Sequence, residues 1–414
     1  MINNIFKYLI IIIYMTDNNN HKSFDDMEFI SYNLMRGIFD YGFMNPSNIQ
    51  NLTIKHIFDG YDIIAQSQSG TGKTGAFSIG ALSVINPEEQ FPQILMIAPT
   101  RELASQIHFV ISNISKHMDI KIFLAIGGTK IVSGQRDPYK HIRSSHIIIG
   151  TPGRIIDYIE RNAFNPDKLR MLVMDEADVL LKDDFVEQIK SMYNRLNDVC
   201  QIIIFSATYT DDILEIADSI TSDPKKKILL KYEELSLDLI KQYKIEVLYE
   251  NIKYSTLADL YTKLQIGQCI IFVNSINTSN MLEKRLTEDG FGVSKIHGNL
   301  TTEQRNSILK DFRLGLTRVL IATDVLARGI DIEQIGIVIN YDLPRDYAQY
   351  IHRIGRSGRF GKIGVAINFI TNHDRHQLRN LESHYNIKID DMPSPNTINN
   401  FLSGVGGHLK LNTN

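Results

Sequence analysis

The chain has 414 residues, of which 43% are hydrophobic and 22% are charged, and its formal net charge is −3 at pH 7. This length exceeds what one hydrophobic core usually supports, and the composition excludes a disordered chain. Because the net charge is close to zero, any surface that binds nucleic acid must be local.

The N-terminal segment carries a short apolar run, from about Tyr8 to Tyr14. The run is too short to cross a bilayer, and no small-residue cleavage site follows it. Met15 then opens a polar stretch that is typical of an ordinary start, so Met1 and Met15 both stay open as the first residue. We predict a flexible tail over residues 1–22 and no membrane association.

The two cysteines indicate the compartment. Cys200 and Cys269 each precede an apolar run, so both are expected to be buried and reduced. Cys and His residues show no spacing typical of a metal site. We predict a cytoplasmic location, with a nuclear one left open.

Apolar runs alternate with helical patterns along the whole chain, as in parallel α/β layers. Nearly every run ends in Gly, Pro, Ser, Thr or Asp, and open parallel sheets bind ligands at these carboxyl ends. The predicted strands are YDIIAQ, QILMIAPT, KIFLAIGG, HIIIGTPG, LRMLVMDE and CQIIIFSAT, then CIIFVNS, GVSKIHG, RVLIATD, IGIVINYD and GVAINFIT.

A polar, acidic stretch over residues 231–240 separates two halves of the chain and is predicted to be a linker. The halves share an architecture but no short period, so two similar domains are expected and not a repeat solenoid. The predicted boundaries are 23–230 for the first domain, 241–402 for the second domain and 403–414 for a C-terminal tail.

A phosphate-binding loop is predicted where the sequence SQSGTGKT follows the strand YDIIAQ. Gly70 and Gly72 allow a tight turn with inward amides, and the next helix adds its positive end. Lys73 suits the β and γ phosphates of a nucleotide, and the Thr74 hydroxyl suits Mg²⁺. The predicted nucleotide-binding residues of this loop are Ser67, Gln68, Ser69, Gly70, Thr71, Gly72, Lys73 and Thr74.

Two features of this loop bear on its assignment. Ser67 stands where the strict pattern GxxxxGK[ST] has its first glycine, which is a minor departure because small residues suffice there. The alternative is a glycine-rich turn with a surface lysine. The strand before the loop and the helix after it disfavour that alternative.

The stretch LRMLVMDEADVLLKDD places three carboxylates at the end of an apolar run. A phosphate loop with bound Mg²⁺ normally faces a second strand whose terminal Asp helps to hold the metal, and Asp175 fits that position, directly or through water. Glu176 is then the natural base for the attacking water. Asp178 is expected to bond a neighbouring segment. An acidic helix N-cap explains one carboxylate but not three.

Eleven segments occur in one order along the chain: GFMNPSNIQ, SQSGTGKT, PTRELA, GG, TPGR, DEAD, SAT, IIFVNS, HGN, ATDVLARGIDI and YIHRIGRSGRFG. With these segments the chain, from about Phe24 to Leu402, resembles the DEAD-box ATP-dependent RNA helicases. The segments INYDLP, GVAINFIT and DDMPSP resemble most the minimal eukaryotic translation-initiation subgroup. The resemblance implies an α/β fold of two tandem RecA-like domains, each a parallel sheet flanked by helices, with ATP and Mg²⁺ as cofactors.

The resemblance also implies nucleotide contacts outside the phosphate loop. Phe24, Phe43 and Gln50 resemble the adenine-recognition motif, and a Gln amide can pair with both N6 and N7 of adenine. Asp331 is expected to contact the ribose. Arg356 and Arg359, in HRIGRSGR, resemble arginine fingers that reach the γ phosphate only when the domains close. A solvated basic face is the alternative for these arginines.

Two further sets of residues follow from the resemblance. His352 is expected to link with Ser206, Thr208 and Asp178 and so to couple the two domains. RNA is expected to bind through small residues, backbone amides and arginines that grip phosphates and sugars without reading bases, with 2′-OH contacts favouring RNA over DNA. The implied RNA-binding residues are Thr100, Arg101, Glu102, Gly128, Thr151, Arg154, Asn274, Gly298 and Thr323.

The sequence as a whole predicts a monomeric ATP-dependent RNA helicase that gains its specificity from protein activators or adaptors. One alternative is an ATP-gated RNA clamp, which would bind RNA tightly without displacing a strand. Another is a P-loop NTPase that acts on small molecules or protein, but this leaves the second domain unexplained.

Overall fold

The structure is a computed structural model that describes residues 23–67, 70–127, 137–229, 240–264, 266–324, 335–357 and 364–402. The two predicted tails and most of the predicted linker lie outside these ranges. Ile240, the last residue of the predicted linker, is already the first residue of a strand.

A seven-stranded parallel sheet forms the centre of the first domain. Its central strands are short runs rich in Ile, Leu, Val and Met that are buried on both faces, as parallel sheets covered by helices require. The strands are β1 (Asp62–Gln66), β2 (Ile94–Ile97), β3 (Ile122–Ala125), β4 (Ile147–Gly150), β5 (Met171–Met174), β6 (Gln201–Ser206) and β7 (Lys225–Ile228). Their order across the sheet is β3-β4-β2-β5-β6-β1-β7.

The second domain repeats this plan with another seven-stranded parallel sheet. The strands are β8 (Ile240–Glu246), β9 (Cys269–Val273), β10 (Val293–Ile296), β11 (Val319–Thr323), β12 (Ile337–Asn340), β13 (Gly364–Ile370) and β14 (Asp390–Asp391). Their order is β10-β11-β9-β12-β13-β8-β14.

Helices cover both faces of each sheet. Neighbouring residues of β1, Ile63 and Ile64, belong to two separate apolar cores on opposite faces, and Ile270 and Ile271 of β9 do the same in the second domain. In the first domain the helices are α1 (Tyr32–Tyr41), α2 (Asn48–Phe58), α3 (Lys73–Val84), α4 (Arg101–Ile114), α5 (Lys140–Arg143), α6 (Pro152–Glu160), α7 (Ala177–Leu180), α8 (Asp183–Tyr193) and α9 (Asp211–Ile220). In the second they are α10 (Lys253–Lys263), α11 (Ile276–Glu288), α12 (Thr302–Arg313), α13 (Tyr347–Ile354), α14 (Arg375–Tyr385) and α15 (Pro395–Leu402).

The strand order places the candidate site. Strands β2, β5, β6 and β1 are neighbours in the middle of the first sheet, so their carboxyl ends meet at one edge. The segments PTRELA, DEAD, SAT and the phosphate loop follow these four strands directly. Four segments that are far apart in sequence are thereby brought together, as expected for an open parallel sheet.

Every predicted strand is present, but the sequence analysis did not identify β7, β8 or β14. Strand β7 reads KKKI, and lysines are tolerated there because the strand is at the edge of the sheet, where Lys225 and Lys227 both pair with Asp218. Strand β14 has only two residues, both exposed. Such edge strands lack the apolar runs that mark central ones.

Within the described residues, no helix is both long and apolar enough to cross a membrane. Both cysteines are buried and unpaired, which confirms the prediction made for them.

The packing of α1 against the end of α4 depends on a glycine. A Cβ atom on Gly37 would lie 1.7 Å from the carbonyl oxygen of Ile114, which is a backbone atom and cannot rotate away. We expect Gly37→Ala to lower the free energy of unfolding of the first domain by about 1–3 kcal/mol, since overpacking forces backbone shifts. Denaturant titration followed by circular dichroism measures this change.

Gly267→Ala is the matched control, because a Cβ atom there meets no atom within 4 Å. Equal stability of the two variants would contradict the close approach of α1 to α4.

Candidate functional site

The phosphate-binding loop folds around the Lys73 side chain. Gly70 and Gly72 have φ angles of +82° and +101°, in the left-handed region that favours glycine. The Lys73 ammonium donates a hydrogen bond to the Ser67 carbonyl at 2.6 Å, and the Ser67 and Thr71 hydroxyls are 2.5 Å apart. The loop therefore holds a cation at the N-terminus of α3, where anions bind favourably.

The Gln50 side chain joins the start of α2 to the phosphate loop. Its Oε1 accepts the Ser47 N–H at 2.8 Å, and its Nε2 donates to the Gly72 carbonyl at 3.1 Å. An amide oxygen can accept two hydrogen bonds and an amide nitrogen can donate two. With these two bonds made, the oxygen can accept one more hydrogen bond and the nitrogen can donate one more. Pairing of Gln50 with adenine stays a prediction, and the structure adds a direct link to the phosphate loop.

The two predicted adenine-site aromatics differ in burial. The Phe43 ring packs edge-on against Tyr41, with ring centroids 4.9 Å apart, and is partly exposed. Phe24 is completely buried in the core of the first domain, so its ring does not face an open site. Gly75, which the sequence analysis missed, lets α3 approach this region, because a Cβ atom there would lie 2.5 Å from Gln50 Nε2.

Asp175 and Glu176 follow β5 directly and are 3% and 7% exposed. Oδ1 of Asp175 accepts the Glu176 N–H at 2.9 Å. Glu176 has φ +54° and ψ 52°, a left-handed conformation that is uncommon for a residue with a side chain. Its Oε2 is buried and has no hydrogen-bond partner among the described residues. A strained backbone and an unsatisfied buried oxygen in one residue are typical of a functional site.

Lys73 and the neighbouring carboxylates influence one another electrostatically. Burial lowers the pKa of Lys73, and the three carboxylates Asp175, Glu176 and Asp178 oppose this shift. Burial raises the pKa of Asp175 to about 6, although Lys73 acts against the increase. A cation bound beside Asp175 would favour its ionised form.

The residues present fit a Mg²⁺–nucleotide. Mg²⁺ usually keeps several waters and takes only one or two protein ligands besides phosphate oxygens. Thr74, half-buried in the first turn of α3, and Asp175 can supply such oxygens. The described part of the chain contains no cluster of three or more His, Cys, Asp or Glu residues that could hold a metal ion.

Asp178 accepts hydrogen bonds from both domains. Its Oδ1 accepts from the Ser206 hydroxyl at 2.9 Å, and its Oδ2 accepts from the Thr208 hydroxyl at 3.0 Å. From the second domain, Nε2 of His352 lies 2.8 Å from the same Oδ2. Asp178 and His352 are each 2% exposed. All four residues that the sequence grouped as coupling residues therefore lie together.

Arg356 lies just beyond α13, close to this contact. Its guanidinium is buried, and Nε donates to the His352 carbonyl at 3.2 Å. The charge of Arg356 also contributes to lowering the pKa of Lys73, which places the arginine within electrostatic range of the phosphate loop. One predicted arginine finger therefore lies beside the contact between the two domains, and its role at the nucleotide stays a prediction.

Arginines of the first domain line a cavity of about 420 Å³. Its lining includes Arg101, Thr151 and Arg154, all predicted RNA contacts. A Cβ atom on Gly127 would lie 2.2 Å from the Arg101 guanidinium, so the glycine makes room for that side chain. The Thr100 hydroxyl caps α4 by accepting the Leu103 N–H at 3.2 Å, and Thr100 lines a second cavity together with Arg101.

The predicted RNA contacts of the second domain differ from one another in exposure and in hydrogen bonding. Gly298 is exposed in the turn after β10, whereas Thr323 is 8% exposed at the end of β11. The Asn274 amide is engaged internally: Nδ2 donates to the Leu343 carbonyl at 2.8 Å, and Oδ1 accepts from Arg353 at 2.8 Å. The side chain of Asn274 thus organises the domain, and its contact with RNA stays a prediction.

Five predicted site residues lie outside the described residues. They are Gln68, Ser69, Gly128, Asp331 and Arg359.

The structure also shows site residues that the sequence analysis did not single out. Arg305, in α12, pairs with Glu102 of the first domain at 2.7 Å, which gives a second contact between the domains. Arg353 is completely buried and pairs with Asp324 at 2.6 Å. Arg353 lies in the recognised segment HRIGRSGR. Its position in that sequence does not show that it is buried while other arginines of the segment are predicted to reach the nucleotide.

Comparison with known families places both halves of the chain. The family described as DEAD/DEAH box helicase matches residues 47–216, and the family described as helicase conserved C-terminal domain matches residues 252–361. These ranges fall in the first and second sheets with their helices.

The chain is similar over nearly its whole length to characterised relatives. It is 47% identical to the ATP-dependent RNA helicase eIF4A of Saccharomyces cerevisiae over 371 residues, which is 90% of this chain and 92% of the relative. It is 48% identical to the ATP-dependent RNA helicase FAL1 of Kluyveromyces lactis over 363 residues, covering 87% and 90% of the two chains.

A solved structure shares the whole arrangement. The S. cerevisiae protein Dbp5 bound to RNA and ADP BeF3 superposes with a TM-score of 0.86 at 35% identity, covering 93% of this chain and all of that one. Together with the site geometry, these similarities confirm the fold and the family expected from the sequence. The chain belongs to the DEAD-box family of ATP-dependent RNA helicases.

Proposed function

We propose that this chain couples ATP hydrolysis to local unwinding of RNA duplexes, or to remodelling of RNA–protein complexes, by closing its two domains over both ligands. The observation that carries the proposal is the buried contact between His352 and Asp178, at 2.8 Å. It joins the segment with the proposed arginine finger to the segment with the proposed base. A change in domain arrangement therefore alters the hydrolytic site.

Residues of the first domain hold the nucleotide in this proposal. The loop amides and Lys73 bind the phosphates, and Gln50, with Phe43 nearby, binds the adenine. Thr74 and Asp175 hold Mg²⁺, which when bound neutralises phosphate charge. Gln68, Ser69 and Asp331 complete the proposed nucleotide contacts.

Hydrolysis requires residues from both domains. Glu176 orients and deprotonates the attacking water, and its buried Oε2, which has no partner among the described residues, is available for that proton. Arg356 and Arg359 stabilise the charge that develops on the γ phosphate. Since Arg356 belongs to the second domain, hydrolysis depends on closure.

RNA binds across both domains in the same state. In the first domain, Arg101, Thr151 and Arg154 meet at one cavity, where guanidinium groups suit phosphates. Because domain closure serves both ligands, whatever tightens RNA binding when ATP binds must tighten ATP binding when RNA binds. Glu102, which pairs with Arg305, is left out of the proposed RNA contacts. These contacts are Thr100, Arg101, Gly128, Thr151, Arg154, Asn274, Gly298 and Thr323.

The biological setting is also a proposal. We propose a monomer that works with protein activators or adaptors in the cytoplasm. The similarity to eIF4A and FAL1 favours the translation-initiation subgroup and its close relatives.

The proposal is tested by ATPase assays with RNA, with matched DNA and without nucleic acid, together with strand displacement on a short RNA duplex. RNA-specific stimulation with ATP-dependent displacement is expected. Tight ATP-dependent RNA binding without displacement would replace unwinding by clamping. Hydrolysis that RNA does not stimulate would contradict both.

Lys73→Ala should reduce RNA-stimulated ATP hydrolysis by about 100-fold or more, because the phosphates lose their buried cationic partner. Steady-state phosphate release measures the loss. Lys55→Ala, which removes a lysine of α2 whose side chain is 37% exposed, is the control and should retain activity. Near-normal hydrolysis by Lys73→Ala would refute the phosphate-loop assignment.

Glu176→Gln should slow hydrolysis by about 10²–10⁴-fold while ATP and RNA binding persist, because the amide keeps the shape but cannot accept the proton. Filter binding of RNA with ATP, compared with single-turnover hydrolysis, separates the two effects. Glu187→Gln, at a residue whose side chain is 79% exposed in α8, serves as the control. Loss of Mg²⁺–ATP affinity would instead make Glu176 a metal ligand.

A further inference from the structure

The second domain contains a buried lysine outside all the recognised segments. Lys253, the first residue of α10, is 2% exposed. Its ammonium lies 3.1 Å from Oδ1 of Asp342 and 3.0 Å from Glu250, and 5.4 Å from the centroid of the Tyr341 ring. Burial of an ammonium is costly unless it is paired, so Asp342 is the partner that makes this position tenable.

Asp342, the partner of Lys253, also contacts Asn274. Its Oδ2 accepts the Asn274 N–H at 2.9 Å, while its own carbonyl accepts from Arg353 Nη1 at 2.7 Å. Asn274 then accepts from Arg353 Nη2 through Oδ1 at 2.8 Å. The guanidinium of Arg353 thus donates one hydrogen bond to Asp342 and one to Asn274. The carboxylate of Asp342 is in turn paired with Lys253.

Arg353 is fixed on its other sides as well. Nε donates to Asp324 at 2.6 Å, Nη1 also reaches Asn340 Oδ1 at 3.3 Å, and the guanidinium lies 5.3 Å from the centroid of the Phe272 ring. The side chain is 0% exposed, and these partners tie the C-terminal turn of α13 to the ends of the neighbouring strands.

That turn carries the groups that cross to the first domain. His352 precedes Arg353 and contacts Asp178 at 2.8 Å. The Arg356 N–H donates to the Arg353 carbonyl at 3.2 Å, and Arg356 Nε donates to the His352 carbonyl at 3.2 Å. A displacement of Arg353 would therefore move both the coupling histidine and the proposed arginine finger.

We propose that Lys253 is a positioning residue for ATP hydrolysis: through Asp342, Asn274 and Arg353 it holds the turn that places Arg356 at the γ phosphate. The inference rests on the proposed function of Arg356. A buried ion pair is weak support for stability alone, because desolvation offsets much of the attraction. Its value here is geometric, since two charges fix the relative positions of α10, β9 and the segment after β12.

The expected kinetic signature is a loss of kcat without a loss of ATP affinity. The proposed adenine contacts and the phosphate loop belong to the first domain, whereas Asp331, Arg356 and Arg359 are the proposed nucleotide contacts of the second. The described partners of Lys253 lie in the second domain. A misplaced Arg356 weakens only the interaction made in the transition state. A general loss of domain structure would also weaken RNA binding and closure.

Lys253→Met tests the proposal in the full chain, since methionine keeps an unbranched side chain and removes the charge. Hydrolysis at saturating RNA should fall by about tenfold in kcat, as for a small misplacement of a catalytic group, with KM for ATP within about twofold. Lys263→Met, at the last residue of the same helix and 60% exposed, is the matched control. An unchanged kcat, or a loss of ATP affinity equal to the loss in kcat, would overturn the proposal.

A double-mutant cycle with Arg356→Ala tests directly whether Lys253 acts through Arg356. If Lys253 acts through Arg356, adding Lys253→Met to Arg356→Ala should change the single-turnover rate by less than about twofold. Independent effects that multiply would contradict the positioning role. If Arg356→Ala alone retains the full rate, the proposed function of the arginine fails instead, so the two failures are distinguishable.

Circular dichroism and thermal unfolding establish that the compared variants are folded at the assay temperature. If Lys253→Met does not fold, the same cycle is run with Asp342→Asn, which keeps the shape and removes the other charge. Coupling between Asp342 and Arg356 supports the proposal, and its absence overturns it.

Discussion

The arrangement of the whole site depends on how one buried carboxylate is satisfied. Asp178 has four lone-pair positions on its two oxygens, and Ser206, Thr208 and His352 occupy three of them. Two of these partners belong to its own domain, so after separation of the domains Asp178 would lose one hydrogen bond and keep two from neutral hydroxyl groups. These two hydrogen bonds reduce the cost of breaking the contact with His352.

Asp175 and Glu176 differ from Asp178 in how their carboxylates are hydrogen-bonded. Glu176 combines a left-handed backbone with a buried Oε2 that lacks a partner in the described part of the chain, so its carboxylate is held in place without being satisfied. Among the described residues, Asp175 accepts a hydrogen bond from the Glu176 N–H, and burial raises its pKa. Asp175 and Glu176 are the carboxylates proposed to serve the bound ligands, whereas Asp178 contacts the other domain.

The sequence was sufficient for features that depend on local pattern. Apolar runs marked the central strands, and the glycines before Lys73 marked the phosphate loop, because a strand buried on both faces and a left-handed turn each demand particular residues. The edge strand β7 escaped prediction since lysines suit an edge. Phe24 was expected at the nucleotide but is completely buried, which sequence spacing does not reveal. Gln68, Asp331 and Arg359 stay predictions.

The sequence pattern does not predict which contacts each charged side chain makes in the folded protein. Arg353 and Arg356 are three residues apart in one segment, yet Arg353 is bound within its own domain, while Arg356 lies beside the histidine that contacts the other domain. Lys253 has no motif around it, and its proposed role follows from its burial beside Asp342. In that proposal Arg353 holds the turn that carries Arg356, and Arg353 in turn is bound to Asp342, the partner of Lys253. The proposed hydrolytic site therefore includes residues from the γ-phosphate position to the first residue of α10.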